Sequence, residues 1–184
     1  MNAFKNNICI NPTMYIYEPA DDSYLLADEL KNRKCKRFLD MGTGNGIQAN
    51  CIGNADEIVC VDINPQAVES AKTNVKRENV KFIISDLFTG VEGKFDLIAF
   101  NTPYLDDSEP RDICWTHIQN GEDIIMKFLN TARNNLAENG SILMVISDRG
   151  YEKYKRYALG CGYSWNVIRE RQLFFEKIYL VELK

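Results

Sequence analysis

Residues 38–46 decide the fold, and they read Phe38-Leu39-Asp40-Met41-Gly42-Thr43-Gly44-Asn45-Gly46. The apolar start and the glycine-rich end predict a buried strand that enters a sharp turn before a helix. Glycines at such a turn let the backbone bend tightly and let a ligand approach main-chain atoms. A nicotinamide dinucleotide is one candidate, but its fingerprint requires Gly or Ala three residues after the second glycine. That position holds Ile47, so the turn favours a different ligand.

Short apolar runs and helical patterns alternate on both sides of this turn. The alternation predicts βαβ units and a parallel sheet that is covered on both faces. Pro65 in a first helical turn and Asn139-Gly140 as a helix C-cap mark two of the helix ends. The last two extended segments are joined by a short polar turn without a helix, so they must be antiparallel. The predicted strands are 38–41, 57–62, 80–85, 95–100, 141–147, 163–168 and 174–183, and the predicted helices are 47–52, 65–77, 122–136 and 150–159.

This arrangement resembles the Rossmann-like α/β fold of class I methyltransferases, which use S-adenosylmethionine (SAM). The resemblance implies a mostly parallel sheet in the order 3-2-1-4-5-7-6, closed by an antiparallel terminal hairpin. The length of 184 residues suits one domain with a single core. We therefore expect one methyltransferase domain over residues 1–184, in which residues 1–35 form an N-terminal extension and helix that contribute to the SAM site.

Acidic residues follow three successive predicted strands. Asp40 precedes the spacing G-x-G-x-G, which resembles the first SAM-binding motif and contains Gly42. Asp62 ends the second strand, where an ionised carboxylate can accept hydrogen bonds from both ribose hydroxyls. Asp86 follows the third strand, where its side chain is expected to bind the adenine amino group while the backbone N–H of Leu87 meets a ring nitrogen. Because open α/β sheets bind ligands at the carboxyl ends of their strands, these groups should converge on one site.

The segment after the fourth predicted strand is Asn101-Thr102-Pro103-Tyr104. It resembles the [Asn/Asp]-Pro-Pro-[Tyr/Phe] motif of methyltransferases that modify amino groups conjugated to a planar system. Such a nitrogen has a delocalised lone pair, so we expect the site to hold its N–H bonds against the Asn101 side-chain oxygen and the Thr102 carbonyl. Pro103 restricts the backbone and aims that carbonyl, and Tyr104 can pack on the flat acceptor. Thr102 stands where the motif has its first proline, which should cost some rigidity.

The opening Tyr17-Glu18-Pro19-Ala20-Asp21-Asp22-Ser23 narrows the family. It resembles the eukaryotic and archaeal single-domain branch of the HemK-like glutamine methyltransferases, as do residues 40–46, 61–65, 85–87, 101–104, Trp115 and Asn120-Gly121. The resemblance implies methylation of the glutamine in the Gly-Gly-Gln motif of the class I translation termination (peptide chain release) factor. One departure, Thr116-His117-Ile118-Gln119, replaces glycines that the family carries beside its substrate channel. The resemblance places Ser23, Asp40, Gly42, Asp62, Asp86, Leu87 and Asn101 against SAM, and Asn101, Thr102, Pro103, Tyr104 and Leu105 against the glutamine.

Composition limits the partners and the location. The formal net charge is −4, and the densest basic run, Arg33-Lys34-Cys35-Lys36-Arg37, leads into a strand, so we expect no direct binding of nucleic acid. The cysteines are scattered without a C-x-x-C pair, and His117 has no ligand-spaced neighbours, so we expect free thiols and no metal site. No apolar run approaches the roughly 20 residues of a membrane-spanning helix, and the N-terminus lacks a signal-peptide pattern. We expect a cytoplasmic protein that could also be present in the nucleus.

The third predicted strand, Val80 to Ser85, would lie at an edge of the sheet in the implied order. Its core Phe82-Ile83-Ile84 is apolar on both faces, and Lys81 is its only charged residue that would discourage pairing with another strand. This pattern is typical of a covered strand. The family resemblance implies the cover, a small zinc-binding activator subunit that adds a strand there to form a heterodimer. The alternative cover is the N-terminal segment of the chain itself.

Other functions remain open at this stage. The acceptor motif is shared with enzymes that methylate adenine or guanine in nucleic acid, although the chain offers neither a basic surface nor a target-recognition region. Lysine methylation is a further alternative. A catalytically silent subunit is the alternative outside enzymes, but the intact acidic positions and Asn101 argue against it.

Overall fold

A seven-stranded sheet forms the centre of the computed structural model, which describes residues 16–104, 118–119 and 122–184. The order across the sheet is β3-β2-β1-β4-β7-β9-β8. Counted within the main sheet, this is the predicted order 3-2-1-4-5-7-6, so the fold prediction is confirmed. The main strands are β1 (Lys34–Met41), β2 (Asn54–Asp62), β3 (Val80–Ile84), β4 (Phe95–Asn101), β7 (Leu136–Ser147), β8 (Asn166–Gln172) and β9 (Lys177–Leu183), and β5 (Ile118–Gln119) pairs separately with β6 (Glu122–Asp123).

Strand directions bring the turns of interest to one edge of the sheet. β1, β2, β3, β4 and β7 are mutually parallel, whereas β9 runs antiparallel to both β7 and β8. The carboxyl ends of the parallel strands therefore lie together. This is the edge at which open α/β sheets bind their ligands.

Helices cover both faces of the sheet. On one face, Phe128 and Tyr154 pack into a buried cluster with Phe100, and on the other face Leu26 and Leu30 pack against Phe38. Because the central strands are buried on both faces, they read as continuous apolar runs rather than as alternating patterns. The helices are α1 (Asp21–Leu30), α2 (Ile47–Cys51), α3 (Pro65–Asn74), α4 (Ile124–Ala132) and α5 (Asp148–Gly160), and a 3-10 turn spans Arg133–Asn135.

The predicted helix C-cap at Asn139-Gly140 is wrong. α4 ends at Ala132, and the chain has already entered β7 when it reaches this pair. The register between β4 and β7 shifts here, and Asn139 has a positive φ of 61°. The Asn-Gly signal for a left-handed turn was thus sound, but the turn is an irregularity inside a strand.

The other boundaries differ by a few residues. α3 begins at Pro65 as predicted, with Asn64 as its N-cap, but it ends at Asn74 instead of Arg77. The terminal segments are antiparallel as predicted, yet they start later, at Asn166 and Lys177. The polar turn was predicted at residues 169–173, but residues 169–172 belong to β8. The turn lies at 173–176 instead, and it contains Phe174 and Phe175, which were predicted to begin the last strand and are exposed.

Two further sequence expectations can be compared with the described residues. None of the helices in that part of the chain is long and apolar enough to cross a membrane. Cys35, Cys51, Cys60 and Cys161 are free, and the described side chains form no cluster suited to a metal ion. Burial raises the pKa of the Cys60 thiol, so this residue behaves as part of the core. Cys9, Cys114, Trp115 and His117 lie outside the described residues.

Candidate active site

A cavity of about 320 Å³ opens at the carboxyl ends of the parallel strands. Its wall is built from the turns after β1, β2, β3 and β4, from the start of α1 and from the turn between β8 and β9. Side chains from distant parts of the sequence therefore converge here, as the strand topology predicts. The predicted site residues on the wall are Ser23, Gly42, Asp62, Asp86, Leu87, Asn101, Thr102, Pro103 and Tyr104. Asp40 is not part of the wall, and Leu105 lies outside the described residues.

The glycine-rich turn uses backbone conformations that favour glycine. Gly44 and Gly46 have φ values of 55° and 86°, in the left-handed region that L side chains rarely adopt. The N–H of Gly44 donates to Asp62 Oδ2 at 3.0 Å. A Cβ atom on Gly46 would overlap the side chain of Val75, so the close packing of α2 against α3 also requires glycine there.

Asp62 ends β2 with its carboxylate against this turn. Besides the bond from Gly44 to Oδ2, Oδ1 accepts a hydrogen bond from the backbone N–H of Asn64 at 2.9 Å. Burial raises the pKa of Asp62, and the backbone hydrogen bonds oppose that rise. Each carboxylate oxygen has two lone pairs, so each can accept a second donor. The geometry suits a pair of ribose hydroxyls.

Asp40 lies beneath the turn and is 1% exposed. Its Oδ2 accepts a hydrogen bond from Thr43 Oγ1 at 2.7 Å. Burial raises the pKa of Asp40 to about 7, and the charge of Asp62 acts in the same direction. The family resemblance placed Asp40 against SAM, but in the structure its carboxyl faces Thr43 and is shielded from the cavity. Asp40 therefore supports the turn from below.

We expect Asp40 to make the stability of the protein depend on pH. The pKa of aspartate is about 3.9 in an unfolded chain, so the folded state binds this proton more tightly. The contribution of Asp40 to the free energy of unfolding is therefore fully present below about pH 4 and is lost as the pH rises through about 7. Asp40→Asn lacks this titration, so its stability relative to the parent protein should rise between these pH values, by at most about 1.4 kcal/mol per pH unit. Denaturant unfolding of both proteins measures this difference, and a difference that is independent of pH would contradict the raised pKa.

The turn after β3 places Asp86 and Leu87 on the wall. Leu87 has a positive φ of 48°, which is uncommon for a residue other than glycine. Asp86 Oδ2 accepts a hydrogen bond from Lys127 Nζ of α4 at 2.7 Å. Sequence reasoning missed Lys127, because nothing in its local sequence links it to Asp86. The proposed contacts of this turn with adenine stay predictions.

Asn101 ends β4 with its side chain in the cavity wall. Its Nδ2 donates to Ser23 Oγ at 3.3 Å, which orients the amide. Its Oδ1 is buried and has no hydrogen-bond partner among the described residues. A buried acceptor without a donor costs about 1–3 kcal/mol, and such exceptions require an explanation such as a ligand. This oxygen is therefore available to an N–H group of a bound molecule.

Thr102 is held in place by its own side chain. It is 3% exposed, and its Oγ1 donates to the carbonyl oxygen of Val145 in β7 at 2.6 Å. The threonine thus gains a tertiary contact that the proline of the motif could not form. This contact offsets the loss of rigidity that was expected from the absence of the proline.

Asp22 is a site residue that the sequence analysis did not single out. It is 5% exposed and accepts hydrogen bonds from the hydroxyls of Tyr17 at 2.9 Å, Ser23 at 3.1 Å and Tyr104 at 3.2 Å. Burial and the neighbouring charge of Asp22 raise the pKa of Tyr104, so its hydroxyl stays protonated and keeps donating. Asp22 ties the start of α1 to the acceptor motif. The only sequence signal for Asp22 was its position within residues 17–23, the segment that narrows the family.

The charge of the cavity wall has one sign. The ionisable groups of its described residues are carboxylates and tyrosine hydroxyls, and neither Lys, Arg nor His is among them. The carboxylates belong to Asp21, Asp22, Asp62, Asp86 and Glu176. Such a wall suits a cationic ligand such as a sulfonium and disfavours phosphate groups.

The fold and this site together define a class I methyltransferase. Residues 5–160 match the family model "Methyltransferase small domain". The "Putative protein N5-glutamine methyltransferase" of Methanocaldococcus jannaschii is 41% identical over 148 residues, which cover 75% of each protein. Methyltransferase HEMK2 of Mus musculus is 32% identical over 154 residues, 71% of each protein. The chain therefore belongs to the methyltransferase small-domain family and, within it, to the HemK-like glutamine methyltransferases.

A solved structure shares the fold across almost the whole chain. The Mtq2-Trm112 complex of E. cuniculi, responsible for methylation of the translation termination factor eRF1, matches with a TM-score of 0.72. The match covers 91% of this chain and 97% of the other chain at 22% identity. At this identity the likeness establishes the fold.

Proposed function

We propose that this methyltransferase transfers a methyl group from SAM to the side-chain amide nitrogen of the glutamine in the Gly-Gly-Gln motif of the class I translation termination factor. The observation that carries the proposal is the buried Asn101 Oδ1, which lacks a donor among the described residues of the cavity. A primary amide supplies the N–H that this oxygen requires. The relatives named as glutamine methyltransferases support the same class of acceptor.

The residues of the acceptor motif would hold the amide and stabilise charge. Asn101 Oδ1 and the Thr102 carbonyl accept its two N–H bonds, and their fixed dipoles favour the positive charge that grows on nitrogen. Bound SAM would supply the methyl group, its C–S bond breaking as the new N–C bond forms, and the nitrogen would release one proton to water. Tyr104, positioned by Asp22, packs against the flat amide. Alignment of the nitrogen with the donor methyl adds a further acceleration through proximity.

The residues at the other end of the cavity fit SAM. SAM supplies a methyl group on a positively charged sulfur. Asp62 would accept the ribose hydroxyls, and Asp86 with Leu87 would contact the adenine. The glycine-rich turn, whose backbone is open to a ligand, would lie against the remainder of the molecule.

A nucleic-acid acceptor is the main competitor, because adenine and guanine present the same kind of amino group. Proteins that bind nucleic acid use Lys and Arg against phosphate. The described cavity wall offers carboxylates instead. The charge of the site therefore favours a protein acceptor.

Incubation with labelled SAM and either termination factor or nucleic acid tests the proposal. We expect label in the termination factor and none in RNA or DNA. Label in nucleic acid alone would reject the protein acceptor. No label in either, with SAM bound, would reject both acceptors and leave the silent-subunit alternative and lysine methylation of another protein.

We further propose that a small zinc-binding activator subunit pairs with β3 to form a heterodimer. β3 is an edge strand, and Ile84 is 49% exposed on it. Lys81, the charged residue of this strand, forms a salt bridge with Glu57 of β2 at 2.6 Å, so its side chain does not block the edge. An added strand would satisfy the free backbone groups and bury the apolar surface. Mtq2 of E. cuniculi, which shares this fold, forms a complex with Trm112.

Ile84→Lys should weaken the heterodimer by roughly 10-fold or more, because it places a charge within an apolar contact. This variant is preferable to Phe82→Lys, since Phe82 is half-buried against the core. Val167→Lys on β8 is the matched control, because Val167 is 37% exposed on the opposite edge strand. Co-purification and calorimetry measure the binding. Equal binding of the activator by both variants would exclude the β3 edge.

We also propose that residues 1–184 act as one methyltransferase domain in the cytoplasm. The proposed substrate works in translation, which supports this location, and presence in the nucleus is compatible with it. Imaging of a tagged chain would test the location.

A further inference from the structure

The turn between β8 and β9 carries two aromatic side chains that the fold does not bury. Phe174 is 96% exposed and Phe175 is 88% exposed, and their ring centroids lie 5.4 Å apart. The turn itself is closed by the N–H of Leu173, which donates to the Glu176 carbonyl at 2.8 Å. Turns usually carry glycine or small polar residues. The two rings add little to the stability of the fold, which points to a role in binding.

The same turn forms part of the cavity wall. Leu173 and Glu176, which flank the two phenylalanines, both line the cavity. Ile178 at the start of β9 pairs with Ser147 at the end of β7, so the turn lies at the same edge of the sheet as the glycine-rich turn. The exposed rings are therefore continuous with the entrance to the site.

Glu176 provides a second, independent observation. Its Oε2 is buried and has no hydrogen-bond partner among the described residues. Glu176 and Tyr104 both line the cavity, and the charge of Glu176 adds to the rise in the pKa of the Tyr104 hydroxyl that burial causes. A buried oxygen of this kind requires a donor, and a main-chain N–H next to the acceptor glutamine would supply one.

We propose that residues 173–176 recognise the protein acceptor. Phe174 and Phe175 bind its apolar surface outside the cavity, while Glu176 accepts an N–H from its chain inside. Aromatic side chains at the centre of an interface commonly carry much of its binding energy. The inference rests on the proposed function, because it takes the acceptor to be a folded protein that presents a glutamine to the cavity.

The activator subunit is a poorer occupant of this surface. The edge proposed for it, β3, lies at the far end of the seven-stranded sheet from β8. At about 4.8 Å per strand, the two edges are roughly 29 Å apart. A second copy of this chain is a different occupant, and it would appear as a dimer that depends on the two rings.

The test uses the heterodimer with Phe174→Ser and Phe175→Ser combined. Both side chains are almost fully exposed, so folding and SAM affinity should be unchanged. We expect KM for the intact termination factor to rise by roughly 10-fold or more, with little change in kcat. Glu176→Gln, which keeps the shape but removes the charge, should also lower kcat/KM for the factor. Leu159→Ser is the control, because Leu159 is 50% exposed on α5, and it should have no effect.

Each other outcome overturns the inference. An unchanged kcat/KM in the double variant would show that the acceptor does not touch the rings. If the double variant no longer binds SAM, no longer binds the activator subunit or no longer forms a self-dimer, and KM for the factor does not rise, the turn would be assigned to whichever of these interactions is lost. If the parent complex does not methylate the factor at all, the proposed function fails first. If the parent is active and only the variant result disagrees, the recognition role alone fails.

Discussion

Asn101→Ala is expected to lower the rate of methyl transfer by about 10²-fold or more, the usual loss when one preorganised electrostatic contact is removed. The buried Oδ1 is the acceptor that the variant lacks. SAM affinity should fall far less, because Asn101 lies at the methyl end of the proposed cofactor position. Single-turnover kinetics and calorimetry measure the two quantities separately.

Asn101→Asp is the matched control for this variant. It keeps an acceptor oxygen of the same shape, and the related motif accepts either residue at this position. It should therefore retain much more of the rate than Asn101→Ala. Transfer by Asn101→Ala within a few-fold of the parent rate would mean that the acceptor nitrogen is held elsewhere.

Asp62→Ala is expected to weaken SAM binding by roughly 10- to 150-fold, which corresponds to the loss of a hydrogen bond to a charged group worth about 1.5–3 kcal/mol. The carboxylate would contact both ribose hydroxyls at the tip of β2. Calorimetry on the folded variant measures the loss. Unchanged SAM affinity would reject the assignment of Asp62 to the ribose.

Asp62 also holds the glycine-rich turn through Gly44, so the loss could have a second origin. A SAM analogue without the two ribose hydroxyls separates these causes. If Asp62 binds the ribose, Asp62→Ala should weaken the analogue much less than it weakens SAM. Equal losses for both ligands would assign the effect to the turn.

The sheet was predictable because its central strands are buried on both faces. Continuous apolar runs such as Leu97 to Phe100 and Ile142 to Ile146 mark parallel strands, and turn residues separate them. The ends of the helices and strands were less predictable where one local sequence signal fits two structures. Asn139-Gly140 has the left-handed preference of a helix cap, but tertiary pairing with β4 places it inside β7. Phe174 and Phe175 were predicted to begin the last strand because aromatic residues are typical of strands, whereas in the structure both lie exposed in the turn 173–176.

The cavity wall was predictable to the extent that its residues end strands. Asp62, Asp86 and Asn101 follow successive parallel strands, and topology alone brings such positions together. The sequence could not indicate which side chains support them from elsewhere in the chain. Lys127 reaches Asp86 from α4, and Asp22 accepts hydrogen bonds from the hydroxyls of Tyr17 and Ser23 in its own segment and of Tyr104 in the acceptor motif. Asp40 is limited in the same way, since the motif indicates its position but not the direction of its carboxyl, which lies against Thr43.

The most direct test of the proposed function is methyl transfer to termination factor that carries either Gln or Asn in its Gly-Gly-Gln loop. The chain with its proposed activator subunit, labelled SAM and intact factor would be incubated together, and the modified peptide would be located by mass spectrometry. We predict one methyl group on the side-chain amide of that glutamine, and no transfer to the Asn form. Equal methylation of both forms, or a methyl group on a lysine, would contradict a site built around a glutamine amide.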